Sequence, residues 1–189
     1  DENTVWSFRE RLTRTGLVDK LFEQFKGYLQ TKGLIFNEGQ IIDASFTIAP
    51  RQRNTREENA KIKSGEGDEL WNDEPDKKSH KDIDARWTEK NNQTYYGYKN
   101  HAKVDAKSKF IQEYLVTDAS VHDSQALDGL LDASDAGQEL YADSAYTGEK
   151  QEKTIKKHKM KNKVNEKGHK NRPLTKKQMK RNRKKSKIR

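Results

Sequence analysis

The chain has 189 residues, 30% of them hydrophobic and 37% charged, and it contains no cysteine. That composition suits one modest packed unit with solvated appendages, and it excludes disulfide frameworks, thiolate metal sites and cysteine nucleophiles. No apolar run approaches the ~18 residues of a membrane span, and the opening Asp1-Glu2-Asn3-Thr4 does not read as a secretory signal.

The net charge of +9 hides an asymmetry. Residues 151–189 hold 18 Lys and Arg against two acids, Glu152 and Glu166, whereas residues 1–150 hold 21 basic and 28 acidic side chains. A tail near +16 beside a body near −7 is the electrostatic footprint of a nucleic-acid binder. A disordered, merely solubilising tail is the plainer alternative.

In chain order, Val5, Phe8 and Leu12 recur at helical spacing with Trp6 beside them, and Gly16 breaks the pattern. Val18, Leu21, Phe22, Phe25 and Leu29 form a second stripe that stops near Gly33. We read residues 1–33 as a helical packing element. A DNA-binding helix-turn-helix is the alternative, disfavoured because no basic face follows the stripe. Leu34-Ile35-Phe36 and Gln40–Ile48 read as strands flanking the turn Asn37-Glu38-Gly39, and Pro50 closes the second.

Residues 51–92 carry 10 basic and 11 acidic residues and few apolar ones. They read as a flexible charged insertion, mostly disordered over 51–82. Thr94–Asp105 and Phe110–Thr117 then form an antiparallel hairpin. A helix capped by Asp123 or Ser124 carries Leu127, Leu130 and Leu131 toward Gly137. The strand around Asp143 and a helix over Glu149–His158 follow, and from Lys159 no apolar face is sustained. The expected fold is α/β, a mixed sheet flanked by helices over residues 34–158, with 159–189 basic and mostly disordered.

Two strands share one design. Asp43 lies in Gln40-Ile41-Ile42-Asp43-Ala44-Ser45, and Asp143 in Leu140-Tyr141-Ala142-Asp143-Ser144. A carboxylate among apolar neighbours is costly unless its charge is compensated, and a shared divalent cation compensates both. Mg²⁺ favours such oxygen donors, and two ions stabilise both oxygens of a phosphodiester displacement. The plainer reading is that each Asp caps a strand end. His101, Asp105, His122 and Asp123 lack the spacing of a helical zinc site. His101, His122 and Asp123 are expected to flank the metal ligands, and Asp105 to serve the hairpin turn.

These motifs carry a resemblance. Ile42-Asp43-Ala44-Ser45, Tyr96-Gly97-Tyr98-Lys99-Asn100-His101, Val116–Ser124 and Tyr141-Ala142-Asp143-Ser144-Ala145-Tyr146 resemble, in order and spacing, the bacterial insertion-sequence transposases of the DDE superfamily, in particular the insertion-sequence five group. The resemblance implies a ribonuclease H-like fold, Asp43 and Asp143 as the first two of three acidic ligands, and two Mg²⁺ or Mn²⁺ ions. It implies cleavage of transposon DNA ends and joining of their 3′-OH to target DNA. It also implies a homodimer in the intact enzyme and a cytoplasmic, nucleoid-associated, non-membrane protein in a bacterium.

The third ligand of such enzymes is a Glu on a helix introduced by a basic stretch. Here the stretch Lys180–Arg189 is present and no Glu follows it; Glu149, Glu152 and Glu166 are the only downstream substitutes. The chain is therefore expected to be truncated at both ends and, by itself, inactive or nearly so. DNA contact is expected from Lys176, Lys177, Lys180, Arg181, Arg183, Lys184, Lys185 and Lys187. A metal-dependent nuclease of the same fold, which cuts without joining, and a non-enzymatic basic nucleic-acid-binding protein are the rival readings.

Overall fold

The computed structural model describes residues 1–189. Six strands build one sheet: β1 (Gln40–Ile48), β2 (Arg86–Lys90), β3 (Gln93–Asp105), β4 (Ile111–Asp118), β5 (Glu139–Ala142) and β6 (Lys161–Asn162). The thirteen-residue β3 is the spine. On one side it pairs antiparallel with β1, from Ile48 opposite Gly97 to Gln40 opposite Asp105. On the other side its first half pairs with β2 and its second half with β4, both antiparallel. Beyond β1 the sheet continues with β5 and then β6, both parallel. An antiparallel meander extended by parallel crossover strands is the ribonuclease H-like arrangement, and the expected α/β class holds.

The core lies where the parallel strands meet the helices. Ile42 of β1 and Leu140 and Ala142 of β5 pack with Leu127 and Leu130 of α5 (Leu127–Leu130) and with Ile155 of α6 (Glu149–Lys157). Each such large apolar side chain, fully buried, contributes about 1.5–3 kcal/mol. Gly97 is required where β3 lies against the end of β1. Its φ is +141°, and a Cβ there would lie 2.2 Å from the Thr47 carbonyl oxygen, so any side chain would force the two strands apart.

The structure departs from expectation in five places. Residues 34–36 form no strand. Ile35 alone is buried, and the Asn37 amide donates to Asp105 at 2.9 Å. Asp105 does serve the hairpin turn, accepting from the Lys107 and Ser108 amides at 3.0 and 2.7 Å. The helix after Asp123 ends at Leu130, and Asp132 caps a separate 3-10 turn over Ala133–Asp135.

Residues 51–82 are not a structureless excursion. They fold into α3 (Arg56–Ser64) and α4 (Pro75–Ser79) around Ile62, Leu70 and Trp71, with Ile83 against them. A capping box at Thr55 and Glu58 starts α3 and Gly65 in the left-handed region ends it. β2 then joins β3 through Asn91 and Asn92, both at positive φ, as a two-residue hairpin turn of this twist demands.

The tail is also ordered locally: α7 (Lys176–Ser186) begins at a capping box of Thr175 and Gln178. Finally, the N-terminal stripes are only partly used. α1 (Glu2–Arg14) leaves Val5, Trp6 and Phe8 exposed, while α2 (Leu17–Thr31) buries Leu29 and sets Phe22 edge-on against Tyr114 of β4, 5.1 Å between centroids.

Candidate active site

β1 and β5 lie side by side and run in the same direction. Their register pairs Gln40 with Leu140, Ile41 with Tyr141 and Ile42 with Ala142. One step further come Asp43, still within β1, and Asp143, just past the end of β5. Sites in open α/β sheets form outside the carboxyl ends of parallel strands, which is where Asp143 stands, while Asp43 lies within the nine-residue β1.

The two carboxylates have different settings. Asp43 remains in β1 with its side chain 57% exposed, and the Arg189 Nε lies 3.8 Å from its Oδ2. Asp143 leaves β5 and caps the 3-10 turn Ser144–Tyr146, accepting from the Ala145 amide at 2.7 Å. That turn folds Tyr146 into the core, where it is 1% exposed and its hydroxyl has no hydrogen-bond partner. Burial first, then the negative fields of Asp123, Asp43 and Asp143, push its pKa well above that of an ordinary phenol. Tyr146 is thus a permanently protonated group within electrostatic reach of three carboxylates.

Asp123 is charge-compensated. Lys99 Nζ lies 2.9 Å from its Oδ1 and Lys90 Nζ 3.9 Å from its Oδ2. His101 is fully buried, with Nε2 2.9 Å from Thr117 Oγ1 and Nδ1 unpartnered. Burial lowers its pKa, Asp123 opposes the fall and Lys99 adds to it. His122 is exposed and caps the turn over Asp123–Ala126, its Nδ1 2.9 Å from Ser124 Oγ.

No group of three or more His, Asp or Glu side chains assembles as a metal centre. Glu149 pairs with Lys153 on α6 at 2.7 Å. Glu166 is held by Gln178 and Arg181, each at 2.7 Å, and the Gln178 hydrogen bond and then Arg181 lower its pKa. Asp43 and Asp143 therefore offer two hard oxygen ligands. That suits an ion of the Mg²⁺ type, which takes one or two carboxylates and fills its other positions with water and phosphate oxygens.

The basic residues of the tail divide by helix face. Gln178, Arg181, Asn182 and Lys185 recur at i, i+3, i+4 and i+7 and turn inward. Arg181 and Gln178 grip Glu166, Asn182 Nδ2 donates to the Glu166 carbonyl at 2.9 Å, and Lys185 Nζ donates to the Val164 carbonyl at 2.8 Å. Lys176, Lys177, Lys180, Arg183, Lys184 and Lys187 make no ion pair within the chain. Arg181 and Lys185 thus serve as anchors of α7. The sequence could not separate the two sets without knowing that Glu166 sits opposite.

A sheet of this order, with Asp43 in β1 and Asp143 just past the adjacent parallel β5, defines a ribonuclease H-like domain. The chain belongs to the transposase DDE domain family, whose model matches residues 36–189. A transposase for insertion sequence element IS1106 from Neisseria meningitidis serogroup B is 31% identical over 186 residues, 96% of this chain and 61% of that protein. The chain spans about three-fifths of the length of that curated relative. No solved structure matches. The family works with divalent metal ions and on DNA, and no helix is long and apolar enough to cross a membrane.

Proposed function

We propose that this domain cleaves transposon DNA ends and transfers their 3′-OH to target DNA, with Asp43 and Asp143 holding Mg²⁺ or Mn²⁺, two ions in the assembled centre. The observation that carries the reading is the β1–β5 register in a chain of this family. Bound at the pair, the cation supplies charge stabilisation to the phosphodiester under attack. The chain's own residues do the rest. Asp43 presents an open carboxylate to the solvent side, and Asp143 is fixed by its cap on the 3-10 turn. Tyr146 keeps its proton and so adds no charge to a crowded acidic corner. Lys99 neutralises Asp123, while Asp43 meets Arg189, whose Nε lies 3.8 Å away. The outer face of α7 holds the DNA backbone through charge, without reading sequence. A homodimer on two DNA ends is the assembly that such a reaction implies.

The test follows Mn²⁺ binding to the chain by electron paramagnetic resonance, beside an assay with a pre-cleaved DNA end and a supercoiled target. The expected result is bound Mn²⁺ that falls at least about tenfold in Asp43→Asn and in Asp143→Asn, with any joined product abolished in the same variants. Metal binding indifferent to both substitutions overturns the assignment. Cutting without joining identifies the nuclease reading, and DNA binding indifferent to metal identifies the non-enzymatic one.

A further inference from the structure

A cavity of about 630 Å³ opens between residues 52–63 and the β2–β3 hairpin, lined by Arg53, Lys63, Arg86, Trp87, Tyr96 and Gln52 among others. That volume is of the size that holds a small molecule or a single nucleotide. The segment is rich in acids, yet no carboxylate lines the cavity. The cations are also uncompensated. Arg86 gives its guanidinium only to the carbonyls of Ile83, Ala85 and Ile62, at 2.6, 3.1 and 3.0 Å, and neither Arg53 nor Lys63 pairs with an acid. Such a lining attracts an anion.

Two further observations define the ligand. Trp87 stands 50% exposed on the edge strand β2, 5.0 Å from the Tyr96 ring, with the Arg51 guanidinium 5.4 Å from its centroid. An aromatic surface beside unpaired cations is the platform on which bases of single-stranded nucleic acid stack. Gln52 Oε1 is buried without a donor, and the exocyclic amine or ring N–H of a base would supply one.

The position is also informative. Tyr96 precedes Gly97, which pairs with Ile48 at the far end of β1. Asp43 lies five residues back along that strand, roughly 17 Å at about 3.4 Å per residue. A DNA strand advances about 3.4 Å per nucleotide in a duplex, so the cavity stands about five nucleotides from a phosphate held at Asp43.

We propose that this cavity binds one unpaired nucleotide of the DNA strand engaged at the carboxylates, its base against Trp87 and Tyr96 and its phosphates among Arg53, Lys63 and Arg86. The proposal rests on the transposase reading for the identity of the strand. Its test does not depend on catalysis. Fluorescence anisotropy compares the full chain on a blunt duplex and on the same duplex with a five-nucleotide single-stranded extension carrying 5-iodouracil. The expected result is tighter binding of the extended duplex by about five- to a hundredfold. Trp87→Ala and Lys63→Glu lose that preference, Trp87→Phe keeps it, and photocrosslinks map to Trp87 or Tyr96. Asp43→Asn is expected to leave the preference intact, so loss of metal binding at Asp43 and loss of the cavity's ligand are read separately. Equal binding of blunt and extended duplexes overturns the proposal. So does a preference that survives in well-folded Trp87→Ala, or a free mononucleotide that displaces the crosslink as well as the extended duplex does.

Discussion

Lys103 carries its charge into the interior of the sheet, 1% exposed, and meets Asp132 at 2.8 Å and the fully buried Asp135 at 2.9 Å. Burial pulls its pKa down and the two carboxylates more than restore it, leaving it raised. Removing one member of a buried ionic group strands the others, at about 3–5 kcal/mol. Lys103→Ala is therefore expected to lower the unfolding free energy by about that amount, read by urea denaturation. Lys103→Met combined with Asp135→Leu should recover much of the loss, because no buried charge is then left without its partner. At this scale the sequence was legible where one residue type in one setting implied one chemistry. Asp43 and Asp143 stood out as lone acids in apolar runs, and the structure puts Asp43 in β1 and Asp143 just past the end of the neighbouring β5. Tyr146 did not stand out, because its role depends on a 3-10 turn that folds it back under the acids. Its one signal was its place three residues after Asp143, the spacing that such a turn closes. Lys103 was equally hidden, since a lysine in a strand normally reads as solvent-facing.

Among the elements, the insertion shows how a small set of interactions orders a charged segment. Glu58 accepts from the Thr55 amide at 2.8 Å and from Trp71 Nε1 at 2.7 Å, and it lies 3.2 Å from Lys77. The Thr55 and Trp71 hydrogen bonds, more than Lys77, lower its pKa to about 2 from an ordinary 4.5. A depressed carboxylate contributes stability that is fully present above its unfolded pKa and is lost as pH falls through its folded one. The segment around Trp71 should therefore loosen between about pH 4.5 and 2, seen as exchange broadening of the Trp71 indole proton in NMR spectra. Glu58→Gln should weaken the segment at neutral pH and flatten that pH dependence. Composition concealed this element because four apolar residues, Ile62, Leu70, Trp71 and Ile83, are scattered among acids and bases and converge only after folding. β2 was missed for a related reason. Its sequence Arg-Trp-Thr-Glu-Lys is that of an edge strand with little to bury, and its Asn91-Asn92 turn was the available signal. Helices with an uninterrupted pattern, α1, α2 and α6, were legible almost to their ends.

The whole molecule is electrically divided, acidic over residues 1–150 and strongly basic thereafter. Under the DNA-binding proposal, each phosphate that the protein no longer neutralises should flatten the slope of log K against log salt by about 0.9. Replacing Lys177, Lys180 and Lys184 of α7 by Ala should change the slope by up to about 3, measured by anisotropy across a salt series. Arg181→Ala should leave it nearly unchanged while releasing α7 from Glu166. The division into a helical start, a sheet core and a basic end was legible from charge and spacing alone. Which basic side chains face outward was not, because that depends on how α7 packs against Val164 and Glu166, residues well before it in the tail.

The parallel pairing of β1 with β5 has a further consequence during synthesis. The antiparallel strands are complete once Asp118 has been made, but β5, the strand that pairs with β1, is finished only at Ala142, roughly 24 residues later. At ordinary translation rates that interval lasts about 1–5 s. Throughout it one edge of β1 is unpaired on a nascent chain, and such an edge invites pairing with a neighbour. Near the middle of that edge stands Asp43. A charge on an open edge discourages intermolecular pairing, so the carboxylate proposed to hold a cation in the finished protein also shields the strand before its partner arrives.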